Sequence, residues 1–309
     1  MESKYDVIFG TGPLGLAVMN ELKKSRRNFI LVNRSGKAPI SNVAVEKCDA
    51  LNKQDVVKVC QNASSIYHCI GLPYKEWKEK LPIIMDNIIE SASRVEAKIV
   101  YADNLYAYGP QKQPFHEKLT YNPIGEKTRV RAEVSTMLMK AHEAGKVIAT
   151  IGRGSDFYGP RVRNSILGER VFKHLIEGKK VELIGDLKVR HSHIFIEDFA
   201  KGLVKLCNEP QAEGEVWHLP HVEAKSNQEI VNMIANKLSV KPKYRIANNL
   251  IVNVGAIFNP FMKDMKELIY QHQYDFIVDS TKYEKIFGSH SHSFTDGIEK
   301  TIKWYKDNN

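Results

Sequence analysis

The first half of the chain alternates short apolar runs with longer stretches in which apolar residues recur every three or four positions. Such runs predict buried strands, and such stretches predict amphipathic helices. Strands are predicted at Tyr5–Gly10, Phe29–Asn33, Ala44–Lys47, Ser65–Ile70, Lys98–Ala102 and Val147–Gly152. Helices are predicted at Pro13–Lys24, Asn52–Gln61, Tyr74–Val95 and Lys127–Ala144. This alternation predicts an α/β fold, a Rossmann-type doubly wound parallel sheet with helices on both faces.

A glycine-rich turn joins the first predicted strand to the first predicted helix. The residues of this turn are Gly10, Thr11, Gly12, Pro13, Leu14 and Gly15. In a dinucleotide-binding turn the first glycine allows a tight bend, the second lets the backbone approach a pyrophosphate, and the third lets helix and strand pack closely. The pyrophosphate then lies at the helix N-terminus. The pattern therefore predicts a dinucleotide site, with an ordinary glycine-punctuated turn as the alternative.

The residues after the second predicted strand bear on the identity of the dinucleotide. An NAD-preferring site usually has Asp or Glu here to bind the ribose 2′-hydroxyl, whereas this chain has Asn33, Arg34 and Ser35, followed by Lys37. Hydrogen-bond donors and positive charge suit a 2′-phosphate. We therefore expect NADP, with NAD as the second choice; the other interpretation is a solvent-facing basic loop.

Two more segments are expected to contact the dinucleotide, because ligands of such sheets bind outside the carboxyl ends of the strands. Asp49 follows the third predicted strand and is placed to accept a hydrogen bond from the adenine amino group, or equally to cap the next helix. Ile70 and Gly71 follow the fourth predicted strand. We include all three residues in the predicted cofactor site.

The second half of the chain is less regular. Short strands are predicted at Val181–Ile184, His191–Phe195, Val216–Leu219, Tyr244–Ile246 and Asp275–Val278, with helices between them. We interpret this half as a smaller C-terminal substrate domain. Residues 1–160 are predicted to form the dinucleotide-binding domain, with segments near 191–222 returning to it, and residues 161–309 mainly the substrate-binding domain.

Composition narrows the class of protein. The 309 residues are 43% hydrophobic and 26% charged, which is ordinary for a globular protein. The net charge of +9 is spread along the chain, so nucleic-acid binding is a weaker interpretation than a basic surface that suits a phosphorylated cofactor.

Targeting and metal signals are not evident in the sequence. No apolar run approaches the roughly 20 residues that span a bilayer, and the N-terminus has no signal-peptide pattern. We expect a cytoplasmic protein with no membrane partner. The four cysteines lack metal-ligand spacing, so reduced thiols and no metal site are expected. They are Cys48, Cys60, Cys69 and Cys207.

Seven segments, in order, resemble the extended short-chain dehydrogenase/reductase family and its atypical branch, which includes nucleotide-sugar epimerases and dehydratases. The segments are Gly10–Gly15, Val100–Gly109, Ala132–Glu133, Arg153–Pro160, His193–Ala200, Gly214–Leu219 and Phe294–Tyr305. The resemblance implies an NAD(P)-dependent enzyme whose substrate is a sugar nucleotide or a small carbonyl or hydroxyl compound. It also implies pairing of two copies through the helices Tyr74–Val95 and Lys127–Ala144.

The catalytic triad of that family is altered in this chain. Family members carry Ser or Thr after strand five and Tyr-x-x-x-Lys on the next helix, and the corresponding positions here are Asn104, Gly125 and Arg129. The resemblance implies that Asn104 hydrogen-bonds a substrate oxygen and that Arg129 binds the nicotinamide ribose. Gly125 can transfer no proton, and arginine stays protonated at any working pH.

A different proton donor is therefore needed if the protein is an enzyme. We expect Tyr121, just before the active-site helix, to take this part; the alternatives are Tyr106, Asp103 and Glu126, and a purely structural role is open for each. If none acts, the protein is a non-catalytic dinucleotide-binding sensor or scaffold.

Two polar segments of the second half have candidate roles. His191 and His193, beside Arg190, are interpreted either as a cluster that binds a phosphate or carboxylate of the substrate, or as exposed residues of an edge strand. Asp198 is expected to cap the helix that follows it.

Overall fold

The computed structural model describes residues 4–41, 43–258 and 260–308. Its strands are β1 (Tyr5–Phe9), β2 (Phe29–Asn33), β3 (Val45–Lys47), β4 (Ala63–His68), β5 (Lys98–Asp103), β6 (Ala149–Arg153), β7 (Asp156–Tyr158), β8 (Val181–Ile184), β9 (Arg190–His191), β10 (His193–Phe195), β11 (Val216–His218), β12 (Lys225–Ser226) and β13 (Tyr244–Ala247).

The helices follow the strands in alternation through the first half. They are α1 (Pro13–Lys24), α2 (Lys53–Cys60), α3 (Trp77–Val95), α4 (Glu126–Glu143), α5 (Phe172–Ile176), α6 (Ile196–Asn208), α7 (Asn227–Leu238), α8 (Asn249–Phe258), α9 (Pro260–Leu268), α10 (Thr281–Phe287) and α11 (Phe294–Asp307). Short 3-10 helices lie at Tyr74–Glu76, Tyr106–Tyr108, Pro210–Ala212 and Ile269–His272. Among the described residues, no helix combines the length and apolarity that crossing a membrane requires.

The main sheet has seven strands, in the order β11-β6-β5-β4-β1-β2-β3, and all of its neighbouring pairs are parallel. The chain winds outward from β1 to β3 and then crosses to β4 on the other side of β1. The strand order therefore reverses between β1 and β4, which is where ligands of such sheets bind. The predicted Rossmann-type parallel sheet is confirmed.

Helices cover both faces of this sheet. Val7 and Phe9 pack in one apolar cluster with residues of α2, α3 and α4. Because successive side chains of a strand point to opposite faces, Ile8 faces the other side, where its methyl group lies near Gly15 of α1. Gly152 of β6 likewise approaches Leu203 of α6. The sheet is thus doubly wound, as the nearly all-apolar strands predict.

In the second half, the local sequence pattern predicts two strands incorrectly. The predicted strand His191–Phe195 is two strands, β9 and β10, with different partners: β9 pairs with β12 and β10 with β7. The predicted strand Asp275–Val278 is wrong, since this segment forms only isolated bridges, from Phe276 to His191 and from Val278 to Phe115. Both differences arise from pairing between segments that are distant in sequence.

The chain forms two compact units. One comprises Met1–Ala107, Glu126–Arg153 and Phe199–Leu219, and the other comprises Tyr108–Gly125, Gly154–Asp198 and Pro220–Asn309. The two units are nearly equal in length. The second unit has its own apolar core, in which Tyr158 stacks on Phe294 and Phe172 stacks on Tyr305.

A buried ion-pair cluster joins three elements of the first unit. Asp103 of β5 is the register partner of Arg153 of β6, and its Oδ2 accepts from Arg153 Nε at 2.8 Å and from Ser135 Oγ of α4 at 2.8 Å. Its Oδ1 accepts from Arg131 Nη1 at 3.4 Å. The Arg153 side chain is fully buried, and the Asp103 carboxylate provides a counter-charge for its guanidinium.

Replacing Asp103 by Asn should lower the free energy of unfolding by about 3–5 kcal/mol, because a buried guanidinium then loses its counter-charge. Urea unfolding followed by circular dichroism measures the change. The control is Glu182→Gln, which breaks an ion pair with the exposed Arg245 and should cost less than about 1 kcal/mol. Equal effects of the two substitutions would contradict this account of the cluster.

Candidate functional site

The turn between β1 and α1 is built so that only glycine fits at two positions. Gly10 has φ +106°, and a Cβ on it would lie 2.7 Å from the Cys69 carbonyl oxygen at the end of β4. A Cβ on Gly15 would collide with the carbonyl oxygen of Gly10. These glycines let α1 approach the strand ends directly, as the sequence motif predicts.

The N-terminus of α1 faces open space. Gly12 occupies the N-cap position and Pro13 begins the helix, so no capping side chain covers the first backbone N–H groups, which have no intrahelical acceptors. A Cβ on Gly12 or on Gly71 would meet no atom within 4 Å. The arrangement suits an anion held by backbone donors at the helix N-terminus.

The loop after β2 is organised by Asn33. Its Nδ2 donates to Thr11 Oγ1 and to the Lys37 carbonyl oxygen, each at 2.8 Å. Its Oδ1 accepts from the backbone N–H groups of Ser35 and Gly36 and from Ser35 Oγ. Asn33 therefore ties this loop to the glycine turn through its own hydrogen bonds. Arg34, in contrast, is exposed and brings positive charge to this edge of the sheet.

Asp49 does not cap α2. The N-cap is Asn52, whose side-chain oxygen accepts from the N–H groups of Gln54 and Asp55. Asp49 Oδ1 instead accepts from the Leu51 N–H at 3.1 Å, which shapes the turn that leads into the helix. The capping interpretation of Asp49 is thus wrong, because the N-cap lies three residues later.

The segment after β4 places Ile70 and Gly71 beside the glycine turn. The Cys69 N–H donates to the Phe9 carbonyl oxygen, so this segment continues alongside the end of β1. The Ile70 N–H donates to His68 Nδ1 at 3.4 Å. Burial, together with the nearby Arg131 guanidinium, lowers the pKa of His68 to about 3. His68 is therefore neutral at working pH and can accept this hydrogen bond.

Polar groups gather at the carboxyl end of β5. Asn104 Oδ1 accepts a hydrogen bond from the Tyr106 N–H at 3.0 Å. This bond to the backbone holds the side-chain amide of Asn104 in position. The hydroxyl groups of Tyr106 and Tyr74 lie 3.1 Å apart. Lys127 Nζ, on α4, is 5.4 Å from the centre of the Tyr74 ring. Sequence reasoning did not bring Tyr74 and Lys127 into the site, because the three residues come from separate segments.

The end of the Glu267 side chain lies beside Gly125. Gly125 precedes α4, and a Cβ on it would collide with the side chain of Glu267. Glu267 lies on α9 and was not predicted to be near Gly125. Arg129 lies in the second turn of α4 with its side chain exposed. A side chain at position 125 would therefore require Glu267 to move.

The candidate proton donors differ in their surroundings. Tyr121 is partly buried in the second unit and packs edge-to-face on Tyr108, with ring centres 5.7 Å apart. Asn104 and Arg129 belong to the first unit. Asp103 is committed to its buried ion pairs, and Glu126 pairs with Lys78 at 3.1 Å on the surface. These pairings favour the tyrosines over the two acids.

Two interpretations of the second half are wrong. His191 and His193 are fully buried, so they are not exposed residues of an edge strand, and the exposed Arg190 pairs with Asp275 at 2.6 Å. Asp198 lies within α6 and does not cap it. Its carboxylate accepts from the backbone N–H of His292 at 2.7 Å and from that residue's Nδ1 at 2.5 Å.

The glycine contacts predict different outcomes for two similar substitutions. Gly15→Ala should lower the free energy of unfolding by about 1–3 kcal/mol, because its Cβ overlaps the Gly10 carbonyl. Gly12→Ala should change stability by less than about 0.5 kcal/mol, yet weaken dinucleotide binding, because its methyl group enters the open space at the helix N-terminus. Chemical unfolding and a fluorescence titration with NADP(H) measure the two effects. Unchanged binding in Gly12→Ala would contradict the assigned anion position.

Comparison with known proteins agrees with this architecture. The chain is 21% identical to a UDP-N-acetyl-alpha-D-glucosaminuronate decarboxylase of Bacillus cytotoxicus, over 99% of each chain. It is 23% identical to a dTDP-glucose 4,6-dehydratase of Neisseria gonorrhoeae, over 63% of this chain and 54% of that protein.

Solved structures show the same fold. A dTDP-glucose 4,6-dehydratase of Bacillus anthracis, in complex with NAD, superposes with a TM-score of 0.83 at 16% identity, covering 99% of this chain and 98% of that one. A UDP-glucuronic acid 4-epimerase of Bacillus cereus, in complex with UDP-glucuronic acid and NAD, gives 0.81 at 17% identity, covering 99% and 100%. A family model matches residues 7–219. The chain belongs to the NAD dependent epimerase/dehydratase family.

Proposed function

We propose that this protein is an NAD(P)-dependent enzyme that acts on a sugar nucleotide with epimerase- or dehydratase-like chemistry. The observation that carries the proposal is the glycine turn, in which close backbone contacts exclude side chains at Gly10 and Gly15 while Gly12 faces open space. The relatives support the substrate class, because they are named for UDP- and dTDP-sugars. Small carbonyl or hydroxyl compounds are the weaker choice.

The bound nicotinamide would accept a hydride from a sugar carbon and return it. The chain must then hold the sugar hydroxyl and move its proton. Asn104 is suited to the first task, because Oδ1 is engaged by the Tyr106 N–H and its Nδ2 can donate to a substrate oxygen. Arg129, exposed on α4, is suited to bind the nicotinamide ribose but cannot act as a proton shuttle.

We assign the proton transfer to Tyr121, a partly buried phenol four residues before the glycine that replaces the family's tyrosine. Tyr106 is a second candidate, favoured by one observation: its hydroxyl lies 3.1 Å from that of Tyr74, with Lys127 over the Tyr74 ring. In the family's Tyr-x-x-x-Lys pattern, the lysine provides a positive charge near the phenol. Lys127 would provide the corresponding charge beside Tyr74 and Tyr106.

We further propose that the cofactor is NADP rather than NAD. The support is the absence of an acidic residue at the end of β2 and the exposed Arg34 in its place. Asn33 is used by the loop itself, so the preference depends on Arg34 more than the sequence suggested. The relatives whose structures contain NAD make NAD the alternative.

We also propose that two copies of the chain pair through α3 and α4. A cytoplasmic location is a separate proposal. For the pairing, the support beyond the family resemblance is Ile83 of α3, an apolar side chain that is 50% exposed. Burial of such a residue against a second copy would remove apolar surface from water.

The cofactor proposal predicts tighter binding of NADP(H) than of NAD(H) in fluorescence titrations. Arg34→Ala should weaken NADP(H) binding by about 10–100-fold, the size expected for a lost hydrogen bond to a charged group, and leave NAD(H) binding unchanged. The control is Arg94→Ala, which removes an exposed arginine that lies on α3 and not in the loop after β2. Equal affinities of the wild-type protein for both cofactors would overturn the preference, and binding of neither would overturn the dinucleotide site.

The proton-donor proposal predicts that Tyr121→Phe lowers kcat on a UDP- or dTDP-sugar by about 10²–10⁴-fold without changing cofactor affinity. Tyr106→Phe is measured in parallel, and Tyr274→Phe, which alters a phenol that is 69% exposed, is the control. Loss of activity in Tyr106→Phe alone would transfer the role to that residue. Full activity in both variants would contradict a phenolic donor.

A further inference from the structure

Three residues of the second unit bring metal-ligating atoms together where β9 ends and the paired strands β7 and β10 begin. His191 and His193 are two positions apart on β9 and β10, and Asp156 of β7 is the register partner of His193. One ligand atom from each of the three lies within 4.8 Å of the other two. Both histidines are fully buried, and 26% of the Asp156 side chain is exposed.

The hydrogen bonds of His191 fix which of its nitrogens carries a proton. Its Nδ1 lies 3.1 Å from the backbone carbonyl oxygen of Gln271, which can only accept, so Nδ1 carries the hydrogen. Its Nε2 lies 3.2 Å from Asp156 Oδ2 and 3.2 Å from Ser155 Oγ. In neutral His191 the Nε2 lone pair thus points toward a carboxylate, and a cation between the two atoms would relieve that repulsion.

His193 is arranged in the complementary way. Its Nε2 lies 3.1 Å from Asn227 Oδ1, an acceptor, so the hydrogen is on Nε2. Its Nδ1 is buried and has no hydrogen-bond partner. With the hydrogen on Nε2, Nδ1 presents an uncovered lone pair in the protein interior.

We propose that Asp156, His191 and His193 form a binding site for a divalent transition-metal ion of the zinc class. The ligand atoms are a carboxylate oxygen of Asp156, Nε2 of His191 and Nδ1 of His193. Imidazole nitrogens favour zinc and its neighbours over magnesium or calcium. Ligands at about 2.0–2.1 Å from a tetrahedral zinc ion are roughly 3.3 Å apart, and the Asp156–His191 separation of 3.2 Å already has this value.

The surroundings match those of a metal site more closely than those of a simple ion pair. Metal-binding histidines donate their second N–H to a carbonyl or carboxylate group, as His191 does to Gln271 and His193 does to Asn227. A protonated His191 paired with Asp156 would leave His193 Nδ1 buried and unsatisfied, which is unfavourable for a polar atom in the interior. A metal ion satisfies all three ligand atoms at once.

The ring of His272 stacks on that of His191, with the ring centres 5.3 Å apart. Three protein ligands leave a fourth position for water, as in catalytic zinc sites.

The test uses the full-length protein after removal of metals by a chelator. Titration with Co²⁺ should produce the visible absorption bands of a cobalt ion with nitrogen and oxygen ligands, saturating at a single equivalent, and Zn²⁺ should abolish them. Failure of the wild-type protein to bind Co²⁺ or Zn²⁺ would overturn the proposal without reference to any enzymatic activity.

Variants locate the site. Two variants each remove one proposed ligand: Asp156→Asn, which keeps the shape of a partly exposed residue, and His193→Gln. Each should weaken Zn²⁺ binding by more than roughly 10–100-fold, which is the loss expected when only a hydrogen-bond partner of a metal ligand is removed. His174→Gln, which changes a histidine of α5 bonded to the Lys180 carbonyl, should bind as the wild type does. Circular dichroism establishes that each variant is folded; if His193→Gln is not, Asp156→Asn decides. Wild-type affinity in a folded variant of either ligand would overturn the assignment.

Discussion

The contact between Gly15 and the carbonyl of Gly10 is the constraint on which the cofactor site depends. Without a Cβ at either position, α1 begins directly over the end of β1. That placement puts the first N–H groups of the helix at the point where the strand order reverses between β1 and β4. The same close approach fixes Gly10 at a positive φ beside Cys69, so the end of β4 is also brought to the turn. The predicted cofactor residues Gly10–Gly15 lie in this turn, and its close contacts require the absence of a side chain at Gly10 and at Gly15.

Elsewhere in the first unit, a buried cluster of ion pairs and hydrogen bonds connects the sheet to α4. Asp103 and Arg153 end neighbouring strands and form a buried ion pair, and Ser135 and Arg131 attach α4 to it. The helix that carries Arg129 and Lys127 is therefore fixed to the sheet by charge rather than by apolar packing alone.

Sequence reasoning predicted the first half well because its signals are local. Nearly all-apolar parallel strands and a glycine turn are visible within a dozen residues, and β1, β2 and α1 have the predicted positions almost to the residue. Reasoning failed where a residue's partner is distant in sequence. Asp198 accepts from His292 rather than capping its own helix, and Gly125 lies against Glu267. The burial of His191 and His193 depends on β7 and on the segment near Gln271, which no local pattern indicates.

The proposed activity requires that the chain use its dinucleotide on a sugar nucleotide, although the family resemblance aligns Gly125 with the usual tyrosine. The most direct measurement incubates the protein and NADP⁺ or NAD⁺ with UDP-glucuronic acid, UDP-glucose and dTDP-glucose in deuterated water. Nicotinamide absorbance and the proton spectra of the sugars are then recorded. The account predicts transient reduced nicotinamide and a changed sugar with at least one substrate. Bound cofactor with no reduction and no changed sugar across the panel would contradict it and indicate a protein that binds the dinucleotide without catalysis.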